Sequence, residues 1–558
     1  MPTVIVNDKP VEIGASERLN CIQVAERAGV EIPHYCYHHD LSVVASCRMC
    51  LVEMGDKKPD GTVAMQPKLF PGCQTPVKDG TVIISNSEKV KAAQKATLEY
   101  LLLNHPLDCP VCDQAGECGL QDYSYEYGRG YSRLQEPKNL KPDKDYIGDQ
   151  VTLFTDRCIM CTRCVRFTRE ISGTAELQVI SRGTHEEIDI FPGDPCNNKL
   201  AGNVVDLCPV GALCSKDFLY EQRVWWLNSK NSVCPGCSTG CSIRVDQNKD
   251  VLYRLKPREN PQAQGSFMCD EGRFGWKYIH SDARLTLPEQ RSGGKLVSKD
   301  WDTVLPAVRS ALKDAALRSP GKFTVVISPW ATVEEAYLLA KLAKKLAPNA
   351  KLAMGPVRTI GEDDLYPKDV HGKPATPTRF TIRAEKCPNR LGVEAVLKQI
   401  QGEVIEFTNV LDQVSRGEIE TLFVLGGDPE GWISDADVAK LDKLKLLVVQ
   451  DLLASAASAK AQFVLAGAAW AEKDGTFVNH KGLAQAIHRG LRGPGEARPD
   501  ARILLELSER TAMFNAPALR KEIASEIPGL AALGVGDLGE FGVLLGTADA
   551  KAAELQPA

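Results

Sequence analysis

Of the chain's 19 cysteines, all but Cys387 lie within residues 1–269. Such a density in half a chain indicates either a disulfide framework or a set of metal ligands, and the compartment decides between them. The opening Met1-Pro2-Thr3-Val4 lacks the basic stretch and apolar core of a secretory signal. The expectation is therefore an intracellular protein whose thiols stay reduced and serve as ligands. No apolar run reaches the roughly eighteen residues that a membrane span needs. The 558 residues suffice for three or four domains, and the cysteine step marks a boundary near residue 280. Charge is nearly balanced, 67 basic against 72 acidic residues, so the global basic footprint of a nucleic-acid binder is missing.

The ligands group into four sets. Two short strands, Val4–Val6 and Val11–Ile13, flank the turn Asn7-Asp8-Lys9-Pro10, and a helix runs from about Leu19 to Ala28, ended by Gly29. Cys36, Cys47, Cys50 and Cys73 follow, spaced C-x10-C-x2-C-x22-C. Plant-type 2Fe–2S ferredoxins share the C-x2-C pair with a distant fourth cysteine, although their first gap is four. Zinc held by the same thiolates is the alternative. The second set is His105, Cys109, Cys112 and Cys118. Its three cysteines want one more ligand, and imidazole is the usual substitute, for zinc as readily as for iron.

The third set stands on spacing alone. Cys158, Cys161 and Cys164 follow C-x2-C-x2-C, and Cys208-Pro209 supplies a later C-P. In a two-cluster ferredoxin the fourth cysteine of each run serves the other cluster. The first run's fourth position is Thr168, and the other run's first three positions are Asn198, Ala201 and Val204. Those losses dismantle one cluster and leave a single 4Fe–4S site at Cys158, Cys161, Cys164 and Cys208. The fourth set, Cys234, Cys237, Cys241 and Cys269, is spaced C-x2-C-x3-C-x27-C among glycines that let backbone approach a bulky group. Cys21 reads as a small buried hydrophobe. Cys196, Cys214 and Cys387 are left unassigned, the first two flanking Cys208.

Ile32-Pro33-His34-Tyr35-Cys36-Tyr37-His38 and Cys47-Arg48-Met49-Cys50-Leu51-Val52-Glu53 resemble the ferredoxin segment of the large iron–sulfur subunits of NADH–quinone oxidoreductases, respiratory complex I. The stretch from Leu103 through Asp122 resembles that family's segment in which one histidine and three cysteines hold a 4Fe–4S cluster. The fourth set resembles the cluster that opens molybdopterin oxidoreductases such as formate dehydrogenase, and only some bacterial members of the complex I family keep it. The resemblance implies one 2Fe–2S and three 4Fe–4S clusters, and a fold that is multidomain α+β and α/β. The expected domains are a β-grasp 2Fe–2S ferredoxin over 1–80, the histidine-plus-three-cysteine 4Fe–4S domain over 81–145, and a 4Fe–4S ferredoxin-like domain over 146–224. A molybdopterin-oxidoreductase-type cluster domain follows over 225–285, and a shortened molybdopterin-oxidoreductase-like domain over 286–558.

That last region shows strand-length apolar runs at Phe323–Ser328, Leu422–Leu425 and Leu446–Val449. Thr332 and Glu335 form a capping-box pair ahead of Leu338, Leu339, Leu342 and Leu346. Strands leading into glycine or acidic turns indicate a doubly wound α/β domain. No G-x-G-x-x-G or Walker sequence marks a nucleotide site. Glu334-Glu335-Ala336-Tyr337, Gly426-Gly427-Asp428-Pro429 and Trp470 through Asn479 resemble the molybdopterin-oxidoreductase domain, but its length is short for a pterin dinucleotide. No molybdopterin is expected, and Cys387 is the only cysteine that could ligate molybdenum there.

The resemblance implies an electron wire with no substrate site of its own. A flavin-bearing partner oxidises NADH, and electrons pass through the Cys36 set, the Cys158 set and the His105 set. They then reach partners with further clusters toward quinone, in the peripheral arm at the cytoplasmic face of the bacterial inner membrane. The small 2Fe–2S subunit and the quinone-module iron–sulfur subunits are the other implied partners. The fourth set is expected off the main path. Arg48, Arg163 and Arg166, beside ligands, either raise cluster potentials or pair at the surface. A molybdenum formate dehydrogenase subunit and the diaphorase subunit of a NAD-reducing hydrogenase are the rivals, and a multi-zinc scaffold is the rival of another class.

Overall fold

The computed structural model describes residues 1–546 and divides the chain into two compact units. One comprises Met1–Leu227 with Tyr366–Thr378, the other Asn228–Leu365 with Arg379 onward. Residues 228–285 thus belong with the α/β region that follows them. No helix among the described residues is long and apolar enough to cross a membrane.

The first unit opens on a mixed sheet of strands Lys9–Glu12, Thr3–Val6, Thr81–Ile84, Leu51–Lys57 and Val63–Met65, in that order. The turn of the first hairpin is Asn7-Asp8 alone, not the four residues expected, because Lys9 and Pro10 already pair with Val6 and Ile5. Both turn residues adopt positive φ, 44° and 68°, as a two-residue hairpin turn of matching twist demands. Val4 and Val6 are buried while Thr3 and Ile5 are half-exposed, the alternation of a sheet with one covered face. The helix is Cys21–Arg27, shorter than expected at both ends, because Asn20 caps it in a reciprocal box with Gln23. Cys21, fully buried in this core, is the packing residue expected, and burial pushes its thiol up to about 12.

The second unit begins with the antiparallel strands Asn228–Val233, Ser242–Asn248 and Val251–Pro257. The connection between the first two carries Cys234, Cys237 and Cys241, and Cys269 begins the helix Asp270–Phe274. Beyond lies a seven-stranded sheet. Its parallel part runs Lys351–Met354, Phe323–Ile327, Thr421–Leu425, Leu446–Asp451, Phe463–Ala466 across the sheet. In chain order that is 2-1-3-4-5, the doubly wound arrangement expected, with its switch point between Phe323–Ile327 and Thr421–Leu425. Strands covered on both faces read as unbroken apolar runs, and every residue of Phe323–Ile327 is buried.

The molybdopterin-like segments knot this unit together. Glu334, buried, accepts the Thr476 backbone N–H at 2.8 Å and its hydroxyl at 2.7 Å. Asn389 accepts the Val478 N–H at 2.7 Å and donates to the Ala331 carbonyl at 2.7 Å. Lys473 bridges Glu335 and Asp500 at 2.9 Å each. A Cβ on Gly475 would stand 2.4 Å from Thr332 Cγ2, so the strand after Asp474 needs glycine there.

Candidate metal centres

Cys36, Cys47, Cys50 and Cys73 lie on loops around one end of the first sheet, three of them buried and Cys47 half-buried. Their thiols perturb one another in pairs, Cys36 with Cys47 and Cys73, and Cys50 with Cys73. The neighbouring thiols hold Cys36 and Cys50 below the usual thiol range and push Cys47 and Cys73 above it. Arg48, between two of the ligands, takes φ +59°, and Ala45 takes +52°, so non-glycine residues hold the left-handed conformation here. Such strain persists only where the surroundings fix it, and it concentrates at functional sites.

The third set repeats the device. Met160 and Thr162, with φ of 51° and 59°, wind the chain around Cys158, Cys161 and Cys164, and the Met160 N–H reaches Cys158 Sγ at 3.4 Å. Burial pushes the Cys208 thiol up, opposed by the backbone N–H groups of Leu213, Val210 and Ala212. The four cysteines line one small pocket with Leu153, Ile188 and Leu213. Burial, reinforced by the neighbouring thiols, pushes Cys158 up to about 12 and Cys161 to about 11. A polycationic core inverts that logic, since bound metal stabilises thiolate outright.

In the second set Cys112 and Cys118 are buried and Cys109 is exposed. His105 Nδ1 is buried without a hydrogen-bond partner. Burial, with Lys138 and Arg157 nearby, lowers the imidazole to about 4, so it is neutral and carries a lone pair for a metal. Sequence reasoning missed Arg157, which is buried, pairs with Asp108 at 2.8 Å and stacks on Phe154 at 4.0 Å.

The fourth set belongs to the second unit and lines one small pocket with Met268 and Phe380. A Cβ on Gly272 would lie 2.8 Å from Cys234 Sγ, so glycine makes room for the sulfur. The motif Trp470–Asn479 reaches this loop: Asn479 donates to the Thr239 carbonyl at 3.0 Å, and Gln485 to the Gly240 carbonyl at 2.7 Å.

The donor sets fit clusters better than single ions. A zinc tetrahedron with Zn–S of about 2.3 Å places sulfurs about 3.8 Å apart. Among the described residues, the group whose ligand atoms all lie within 4.8 Å is His38, His39 and Asp40, and none of the four sets. Its imidazoles stack face to face at 4.5 Å. A pterin dinucleotide, by contrast, does not fit the second unit's switch point. The glycine turn there, where a phosphate would rest, is filled by the carboxylate of Asp451, which takes the Gly427 N–H at 2.9 Å. Cys387 is buried, and burial with the charge of Glu385 pushes its thiol up. Cys196 is buried beside Asn198, and Cys214 accompanies the Gly211 turn, 3.6 Å from its carbonyl.

Five family models match in succession. They are a 2Fe–2S iron–sulfur cluster binding domain (3–88), the NADH-ubiquinone oxidoreductase-G iron–sulfur binding region (94–133) and the ferredoxin-like domain of NADH-quinone oxidoreductase subunit 3 (148–214). The molybdopterin oxidoreductase Fe4S4 domain (227–281) and molybdopterin oxidoreductase (393–510) follow. The NADH-quinone oxidoreductase-G protein of Rickettsia bellii is 30% identical, over 94% of this chain and 89% of that protein. The chain belongs to the NADH-quinone oxidoreductase-G family. The oxidoreductase-G protein of Rickettsia felis is 38% identical over 61% of this chain, and the NADH-ubiquinone oxidoreductase 75 kDa subunit of Reclinomonas americana 37% over 62%. Each of these two alignments spans 48% of the relative, about half its length. One chain of a NAD+-reducing [NiFe]-hydrogenase crystal structure is covered over 91% of its length and 40% of this one, at 24% identity and a TM-score of 0.34, a likeness too slight to argue from. Oxidoreductase-G proteins are iron–sulfur electron-transfer subunits.

Proposed function

We propose that the first unit is a three-station electron wire and the second unit a scaffold carrying a fourth, off-path cluster. Cys36, Cys47, Cys50 and Cys73 would hold a 2Fe–2S cluster. His105, Cys109, Cys112 and Cys118 would hold a 4Fe–4S cluster, as would Cys158, Cys161, Cys164 and Cys208, and Cys234, Cys237, Cys241 and Cys269. When bound, such clusters accept and release single electrons. The chain's own part is to space them, keep water out and set their potentials through N–H···S bonds and fixed charge.

The observation that carries the reading is a physical continuity among the first unit's three sets. Arg166 hydrogen-bonds the carbonyls of both Cys36 and Cys161, at 2.5 and 3.2 Å. The segment just after Cys208 packs against the second set. The Pro209 carbonyl accepts the Gly119 N–H at 3.2 Å and lies 3.8 Å from Cys118 Sγ. A Cβ on Gly211 would overlap Cys112 Sγ at 2.1 Å. The order Cys36 set, Cys158 set, His105 set is therefore favoured over any order that follows the sequence.

The partners would be the flavin-bearing NADH-oxidising subunit, the small 2Fe–2S subunit and the quinone-module iron–sulfur subunits, assembled at the cytoplasmic face of the bacterial inner membrane. In the assembled complex, Cys161→Ser is expected to abolish NADH–quinone turnover and Cys237→Ala to leave most of it. Turnover surviving in Cys161→Ser would contradict the wire, and collapse in an assembled Cys237→Ala complex would put the fourth set on the path.

A further inference from the structure

Arg163 and Arg166 stand one turn apart on the short helix Arg163–Phe167, and both side chains run to the backbone of cluster-ligand loops. Arg166 is only 6% exposed. Its guanidinium donates to the carbonyls of Ser42 at 2.5 Å, Cys36 at 2.5 Å and Cys161 at 3.2 Å. Arg163 donates to the carbonyl of Tyr37, next to Cys36, and of Leu207, next to Cys208, the latter at 3.4 Å. One pair of side chains thus ties the Cys36–Ser42 loop to both arms of the Cys158–Cys208 site. Neither arginine has a carboxylate within salt-bridge distance among the described residues; the nearby Glu170 is held by Ser42, at 2.5 and 2.8 Å. Buried cations with carbonyl acceptors alone are costly unless a counter-charge is near. The anions at hand are the two thiolate sets, and Cys161 lies in the field of both arginines.

We infer that Arg166, supported by Arg163, is a shared positioning and electrostatic bridge between the 2Fe–2S and the adjacent 4Fe–4S site, holding their ligand loops together and raising both potentials in common. The inference rests on the proposed wire and adds a mechanism to it. Reduction makes a cluster more negative, so a fixed positive charge between the two favours the reduced form of each. A conventional surface salt bridge, the other reading of these arginines, has no partner here.

The test is a potentiometric EPR titration of the full chain with its clusters, after iron analysis of each variant. In Arg166→Met, both centres are expected to need a poise at least about 59 mV lower for the same reduced fraction, a tenfold change for a one-electron couple. Arg166→Lys, which keeps the charge, is expected to recover most of that shift. Unmoved potentials at full iron content, a shift confined to one centre, or no recovery with lysine would overturn the inference. If Arg166→Met does not assemble, Arg163→Met carries the test. It must lower both potentials by the same criterion, and a shift at one centre alone or at neither overturns the bridge. Loss of all iron from the unaltered chain would instead overturn the wire itself.

Discussion

Asp451 Oδ1 accepts the backbone N–H groups of Gly427 at 2.9 Å and Leu452 at 2.8 Å, placing a carboxylate in the glycine turn at the second unit's switch point. Burial, with Asp500 and Asp428 nearby, raises its pKa from 3.8 to about 7. A carboxyl raised on folding contributes stability that is complete below its unfolded pKa and lost as pH rises through the folded one. The melting temperature of the second unit is therefore expected to fall as pH rises from about 4 to about 7. Asp451→Asn should flatten that fall, each pKa unit being worth about 1.4 kcal/mol. An Asn variant with the same pH slope as the unaltered protein would contradict the assignment.

Arg284 and Glu472 form a fully buried bidentate pair, at 2.9 and 2.7 Å, with both side chains 2% exposed. Glu472 also accepts the Ala469 N–H at 2.8 Å. Arg284→Met strands a buried carboxylate and is expected to cost about 3–5 kcal/mol in urea unfolding. Replacing both with Met should recover much of it. Additive losses in the double variant would show that the pair is not coupled.

Much of this arrangement is legible in the sequence, for physical reasons. Ligand spacing is written in the chain because a loop that wraps a cluster must return its thiols at fixed intervals. The unbroken apolar run at Phe323–Ile327 announces a strand buried on both faces. The capping box at Thr332 and Glu335 is present as expected, with N–H bonds of 3.2 and 2.8 Å. Long-range pairing is what the sequence does not reveal. Nothing near Arg166 in sequence indicates that it reaches Cys36, 130 residues away. Nor does the Asn479 motif point to Thr239, 240 residues earlier. The Pro-Asn segment at Asn389 carries no mark of its structural use, and its amide is spent on Ala331 and Val478.

His105 offers a further test, because a neutral ligand carries one negative charge fewer than a thiolate. His105→Cys is expected to keep its cluster and lower that centre's potential, with the other centres unmoved. Potentiometric EPR separates the outcomes, and an unchanged or raised potential would show that the imidazole is not a ligand.

The most direct measurement of the central claim is metal content per polypeptide in anaerobically purified, fully matured protein, paired with EPR of the reduced state. One 2Fe–2S and three 4Fe–4S clusters require about fourteen iron atoms, with trace zinc and no molybdenum. About four zinc atoms and no iron would contradict the account outright, and stoichiometric molybdenum would return the second unit to catalysis with Cys387 as its ligand.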